Sequence, residues 1–179
     1  MRAAAAIVVA VSGALERLCR FLAKAALIGM VMVIWLQIVA RYGLRSPPGW
    51  TEELARYLMV WGGLLGATLA FRRGADPAIV TANERAGNLA AFAAKAAVAV
   101  TLVIFIAPIL YYCFFGPNFD PTRSFMMRSM ARTTPGLGIN LAFVASAIPT
   151  CCFILLVHLA ARLIDGPVKM EEQEKEFLP

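Results

Sequence analysis

The sequence predicts an all-α integral membrane protein: four transmembrane helices led by an interfacial amphipathic helix. Three observations predict it. Of 179 residues, 60% are hydrophobic and 16% are charged, where soluble domains carry about a quarter charged. The mean hydropathy is +0.72. Four apolar runs approach the roughly 20 residues that one crossing of the hydrocarbon core requires. Residues 1–166 therefore read as a four-helix membrane domain and residues 167–179 as a charged cytoplasmic tail.

The elements follow in order. Ala3 to Leu15 is apolar after a single Arg2, the pattern of a signal-peptide core. The run continues through Glu16, Arg17 and Arg20 straight into the first span, so a retained interfacial helix is expected in place of a cleaved signal. The first span covers about 22–40, interrupted only by Lys24 and Gln37. Arg41-Tyr42 closes it, and Pro47-Pro48-Gly49 breaks the chain. The second span covers about 54–71 and ends on Arg72-Arg73. The third covers about 94–115 and contains Pro108. The loop from Gly116 to Gly138 sets Phe119, Phe125, Met126, Met127 and Met130 among three arginines. That is too apolar for a solvated loop, so it is expected in the interface or against a partner. The fourth span covers about 139–161. The run Glu171 to Glu176 reads as solvated.

The net charge is +6. Eleven of the 17 Lys and Arg residues fall on the side holding both termini and the loop between the second and third spans; six fall on the other side. The positive-inside rule then places both termini in the cytoplasm and the Gly116–Gly138 loop in the periplasm. Topology explains the basic surplus, and nucleic-acid binding is not expected, because no basic stripe with interleaved aromatics is present. Cys19, Cys113, Cys151 and Cys152 form no C-x-x-C spacing and read as small core residues. His158 is the one histidine, whereas a b-type haem commonly takes two; it reads as a packed or snorkelling side chain. Ser146 and Thr101 have no evident base. Neither a cofactor, a metal nor a catalytic residue is expected.

The mouth of the second span holds the residues most in need of explanation, since charges at membrane depth are costly unless paired. Thr51 is expected as N-cap after the Pro-Pro-Gly break. Glu52 and Glu53 then meet the positive end of the helix dipole. Leu54 at the third helical position rules out a strict capping box. Arg56 lies four residues from Glu52 and three from Glu53, within reach of either. One reading is local: the acids cap the helix and satisfy Arg56. The other is that Arg56 neutralises one acid and leaves a carboxylate, with Arg41 and Arg45 nearby, to fix register against another chain. Tyr42, Trp50 and Tyr57 are interface-belt aromatics. Gly62, Gly66 and Ala70 form a small-residue ridge that lets helix backbones approach closely, within the chain or against a partner.

The order R-Y, a short break, W-x-E-E-x-x-R-Y, then Trp61, Gly66-Ala67 and Arg72-Arg73 resembles the small, Q-type membrane subunit of tripartite ATP-independent periplasmic (TRAP) transporters. Thr134-Pro135-Gly136-Leu137-Gly138-Ile139, leading into the fourth span, is similar too. Relatives often carry a His and an apolar pair after the double Arg, where this chain has Ala75-Asp76-Pro77. The resemblance implies a scaffold subunit of the bacterial inner membrane that binds no substrate itself. It implies packing against a large, roughly twelve-span membrane subunit that moves carboxylate- or sialate-like organic acids with a sodium gradient. A periplasmic binding protein would be an indirect partner. On that reading Arg41, Tyr42, Trp50, Glu52, Glu53, Arg56 and Trp61 dock the large subunit, and Gly62, Gly66 and Ala70 pack helices. The residues themselves agree, because the chain lacks paired intramembrane carboxylates, broken-helix pairs and inverted repeats, the usual marks of a transport site. A stand-alone homo-oligomeric channel or an accessory membrane protein is the alternative.

Overall fold

Six α-helices follow one another among the described residues, 2–46, 48–73 and 88–165 of this computed structural model. They are α1 (Arg2–Tyr42), α2 (Gly49–Arg73), α3 (Asn88–Phe114), the short α4 (Phe125–Met130) and α5 (Ala142–Ala145), and α6 (Ala147–Asp165). Four stretches, Ala5–Tyr42, Gly49–Arg73, Lys95–Phe119 and Ala142–Ile164, are long and apolar enough to cross a membrane. No strand occurs among the described residues, only an isolated antiparallel bridge between Thr133 and Asn140. Ala75-Asp76-Pro77 and the tail from Glu171 lie outside the described residues.

The N-terminal segment and the first span form one unbroken helix of 41 residues. Nothing in Arg2–Tyr42 interrupts it, for the stretch holds no proline and is rich in Ala and Leu, both good helix formers. At 1.5 Å per residue α1 is about 60 Å long, twice the hydrocarbon thickness.

What holds the hairpin of α1 and α2 is a seven-residue repeat in which small side chains on α1 meet larger ones on α2. Along α1 the sheltered positions are Ser12, Glu16, Cys19, Ala23, Ala26, Met30, Val33, Gln37 and Ala40. Their spacing alternates four and three. Thr51, Leu54, Leu58, Trp61, Leu65, Thr68 and Arg72 repeat the pattern on α2, and Ala147, Cys151, Ile154, His158 and Ala161 on α6. A repeat of 3.5 residues keeps one seam facing its partner along a left-handed crossing. Lipid tails are as apolar as leucine, so close packing drives association here more than apolar burial does. Gly62 sits against α1, where an added Cβ would make ordinary contact at 3.5 Å with the Ala26 methyl. Cys19, Ala23, Leu65, Cys151 and Ile154 form the core where the three seams meet.

α3 stands outside this trio. It leans on α6 and α4, and its buried apolar residues are Ile106 and Cys113, one heptad apart. Cys113 neighbours Cys152, while Cys19 neighbours Cys151 on the adjoining face of α6. All four cysteines are buried and unbridged.

The turns explain the helix ends. The Gly43 N–H donates to the Val39 carbonyl at 2.8 Å, and a Cβ at Gly43 would fall 2.8 Å from that oxygen. Only glycine closes α1 this tightly. Thr51 is not the N-cap that the Pro-Pro-Gly break suggests. α2 begins at Gly49, and the fully buried Thr51 hydroxyl donates 2.7 Å back to the Pro48 carbonyl. The first turn therefore starts three residues earlier than an N-cap at Thr51 would place it. The fourth crossing opens at Ala142, because Ile139 and Asn140 are held in the bridged turn before it.

Candidate functional site

Glu53, at the mouth of α2, reaches across to the loop before α5. One carboxylate oxygen, Oε2, accepts the backbone N–H groups of Gly136 and Leu137 at 2.8 and 2.9 Å. The other, Oε1, accepts the Tyr57 hydroxyl one turn along α2. Thr134 lies beside the same carboxylate.

The loop is built to present those amides. Thr134 N–H donates to the Ile139 carbonyl at 2.8 Å and Gly138 N–H to the Thr134 carbonyl at 3.0 Å. The Thr134 hydroxyl accepts the Ile139 N–H at 3.1 Å. Gly138 turns the chain with φ +66°. Gly136 and Leu137 are left with adjacent N–H groups pointing outward, an anion-binding concavity of the kind successive backbone amides make. Gly136 must be glycine: a Cβ there would stand 2.5 Å from Glu53 Oε2 and 3.2 Å from Trp50 Cα. The two stretches that carry the family resemblance, Trp50–Tyr57 and Thr134–Ile139, thus touch each other.

Glu52 behaves differently. It pairs with Arg56 at 3.1 Å, and both side chains are more than half exposed, 65% and 61%. The arithmetic that left one acid for another chain therefore changes. Arg56 takes Glu52, and this chain's own amides take Glu53. Arg41, Tyr42 and Trp50 are exposed around the same mouth, Tyr42 the most open of the aromatics at 78%. Trp61 packs toward α5, its ring centroid 5.8 Å from that of Phe143. Its indole N–H is buried with no partner among the described residues.

The small-residue ridge divides. Gly62 packs on α1, whereas a Cβ on Gly66 would meet nothing within 4 Å, and Ala70 is exposed. A second stripe runs beside it. Glu52, Arg56, Met59, Gly63, Ala67 and Ala70 are all exposed, at helical spacings of three and four. Gly63 also has nothing within 4 Å of an added Cβ. This is a flat face, small in the middle, with an ion pair at one end. Sequence reasoning missed Gly63 and Ala67, although the i+4 spacing that marks Gly62 and Gly66 marks this pair as well.

It also missed a polar cluster at the other end of the bundle. Glu16 of α1 lies 2.9 Å from Arg20, 3.4 Å from Arg73 and 3.9 Å from Arg72. His158 on α6 is fully buried, its Nδ1 2.8 Å from the Ser12 hydroxyl. Arg162 donates 3.2 Å to the Phe71 carbonyl and sits over the Phe71 ring. The start of α1 and the end of α6 therefore lie at one end of the bundle. The signal in the sequence was Glu16 in phase with Ser12 and Cys19.

The model of the family described as tripartite ATP-independent periplasmic transporters, DctQ component, matches residues 30–166. A putative TRAP transporter small permease protein of Haemophilus influenzae is 48% identical over 42 residues, which is 24% of this chain. The match spans 26% of that relative's length.

Proposed function

Because the chain belongs to the DctQ component family of tripartite ATP-independent periplasmic transporters, a multi-pass transporter component and not an enzyme, we propose that it is the static small subunit against which a large permease subunit packs. The observation that carries this reading is the exposed face of α2. Gly63, Gly66, Ala67 and Ala70 allow a partner helix to approach closely. The Glu52–Arg56 pair beside Arg41, Tyr42 and Trp50 supplies the charge pattern that fixes register. Trp61 supports the mouth from behind, and Gly62 holds α2 on α1.

The acids support a scaffold role. Glu16 is engaged by arginines, Glu53 by amides and Tyr57, and Glu52 by Arg56, so none of the three offers a spare carboxylate to an ion or solute. The transported organic acid, of the carboxylate or sialate type, and its driving sodium would be handled by the large subunit. A periplasmic binding protein would deliver the solute. By the Lys/Arg bias both termini face the cytoplasm of a bacterium and the clasped loop faces the periplasm.

The test is co-purification. Gly63→Leu and Ala67→Leu add bulk to an open face, so the chain should insert and fold as before. Together they should abolish co-purification with the large subunit and the transport that depends on it. A fully active complex carrying both changes would sink the docking face. Self-association of the wild-type chain in place of a heteromer would favour the channel alternative.

A further inference from the structure

We propose that the end of the bundle holding Glu16, Arg72, Arg73 and Arg162 is a seat for the phosphate of an anionic phospholipid. Four guanidinium groups, those of Arg20, Arg72, Arg73 and Arg162, gather there. Three of them share the single carboxylate of Glu16. The positive-inside rule accounts for exposed cations in loops; it gives no reason to bury one.

Arg72 is buried, at 5% exposure, and its Nε and Nη1 have no hydrogen-bond partner among the described residues. Its carboxylate neighbour, Glu16 Oε2, is 3.9 Å away, beyond hydrogen-bond reach. A desolvated guanidinium with unmet donors is costly, and its planar fork matches a phosphate. Arg20 and Arg73 stay 22% and 25% exposed, so the cluster has an open side.

The surroundings favour a lipid over a free anion. Arg162 also borders a narrow gap between α6 and α3, lined with Lys95, Val98, Leu159 and Leu163. Lys95 and Leu163 are both exposed at that surface, so a cation and an apolar side chain stand together for a headgroup and the acyl chain alongside it. The cluster lies where α2 and α6 end beside the first half of α1, and cations at the ends of apolar helices are expected at headgroup level. Basic pockets between membrane helices bind anionic headgroups in this way.

Native mass spectrometry on the full chain, with its membrane partner where the two co-purify, tests the proposal. The probes are phosphatidylglycerol, phosphatidylcholine and inorganic phosphate. Phosphatidylglycerol should be retained in preference to phosphatidylcholine, and millimolar phosphate should not displace it. Each cation removed should weaken retention about fivefold, so Arg72→Gln with Arg73→Gln should cost about 25-fold. Lys95 is exposed, so Lys95→Gln leaves the core intact and guards against a misfolded Arg72 variant. It should cost about fivefold by itself. Equal binding of the two lipids overturns the proposal, as does unchanged retention in both Arg73→Gln and Lys95→Gln. Full displacement by phosphate alone would assign the seat to a soluble anion instead. None of these outcomes depends on which transporter the chain serves.

Discussion

Replacing Glu16 by Gln removes the one carboxylate shared by three arginines, and the structure says how much that costs. Unit charges about 4 Å apart interact by about 4 kcal/mol at an effective dielectric near 20. Not all of that is lost. Arg20 and Arg73 are 22% and 25% exposed and regain water when the acid goes; solvated pairs of this sort measure about 0.2–1 kcal/mol. Arg72 cannot regain water, because its side chain is 6% exposed. Breaking a buried pair costs about 3–5 kcal/mol, and the 3.9 Å separation places Arg72 at the low end, about 3 kcal/mol. For a chain of this size each kcal/mol shifts the midpoint by about 2–4 °C, so Glu16→Gln should lower Tm by about 6–12 °C. The assay is thermal unfolding in detergent, followed by tryptophan fluorescence. Glu52→Gln is the internal control. It breaks a pair in which both side chains are more than half exposed and should shift Tm by no more than about 4 °C. A Glu16→Gln midpoint within about 2 °C of wild type, or equal to that of Glu52→Gln, would refute the claim that this cluster bolts the three helices together.

Two further outcomes are expected. Gly136→Ala places a methyl 2.5 Å from the Glu53 carboxylate, so the clasp should open at a cost of about 1–3 kcal/mol; faster hydrogen exchange at Leu137 would report it, and unchanged exchange would count against the clasp. Asp120 caps the turn after α3, and the Thr122 hydroxyl and N–H hold its carboxyl below the ordinary aspartate range. A depressed folded pKa stabilises the turn above the unfolded value and loses that support as pH falls through the folded one, so exchange at Thr122 should accelerate only in acid, and Asp120→Asn should remove the dependence.

The spans were legible because apolar length is a composition signal, and Asn88–Phe114 with its internal Pro108 shows how directly it reads. The three-helix seam was not. Its positions are Ser, Cys, Ala and Thr as often as Leu or Ile, and inside an apolar run such residues leave no contrast for a periodicity to show. Glu16 and Arg72 looked like ordinary interfacial charges, since nothing local says that residues 56 positions apart in the chain will meet across a hairpin. The clasp was half legible. The acids at Glu52 and Glu53 stood out, but sequence proximity favoured Arg56 as the partner of either. Glu53 finds backbone amides 83 and 84 residues away, and amides carry no side-chain signature. Only the glycine at 136 hinted at a close approach.

The two polar clusters sit at opposite ends of the same three seams, and that placement bears on what the chain can do. Within lipid the helices gain little by hiding apolar surface from one another, so geometry is set by close packing and by the polar bonds at each end. The Glu53 clasp ties the start of α2 to the lead-in of α5 and α6; the Glu16 cluster ties the end of α2 to α1, and Arg162 ties it to α6 through the Phe71 carbonyl. A helix fixed at both ends against two neighbours resists the rocking by which transporter halves alternate access. α3 packs on α6 through Ile106 and Cys113 and stands outside the α1–α2 hairpin. The exposed face of α2 therefore belongs to a helix tied at both ends, which suits the scaffold role proposed for it.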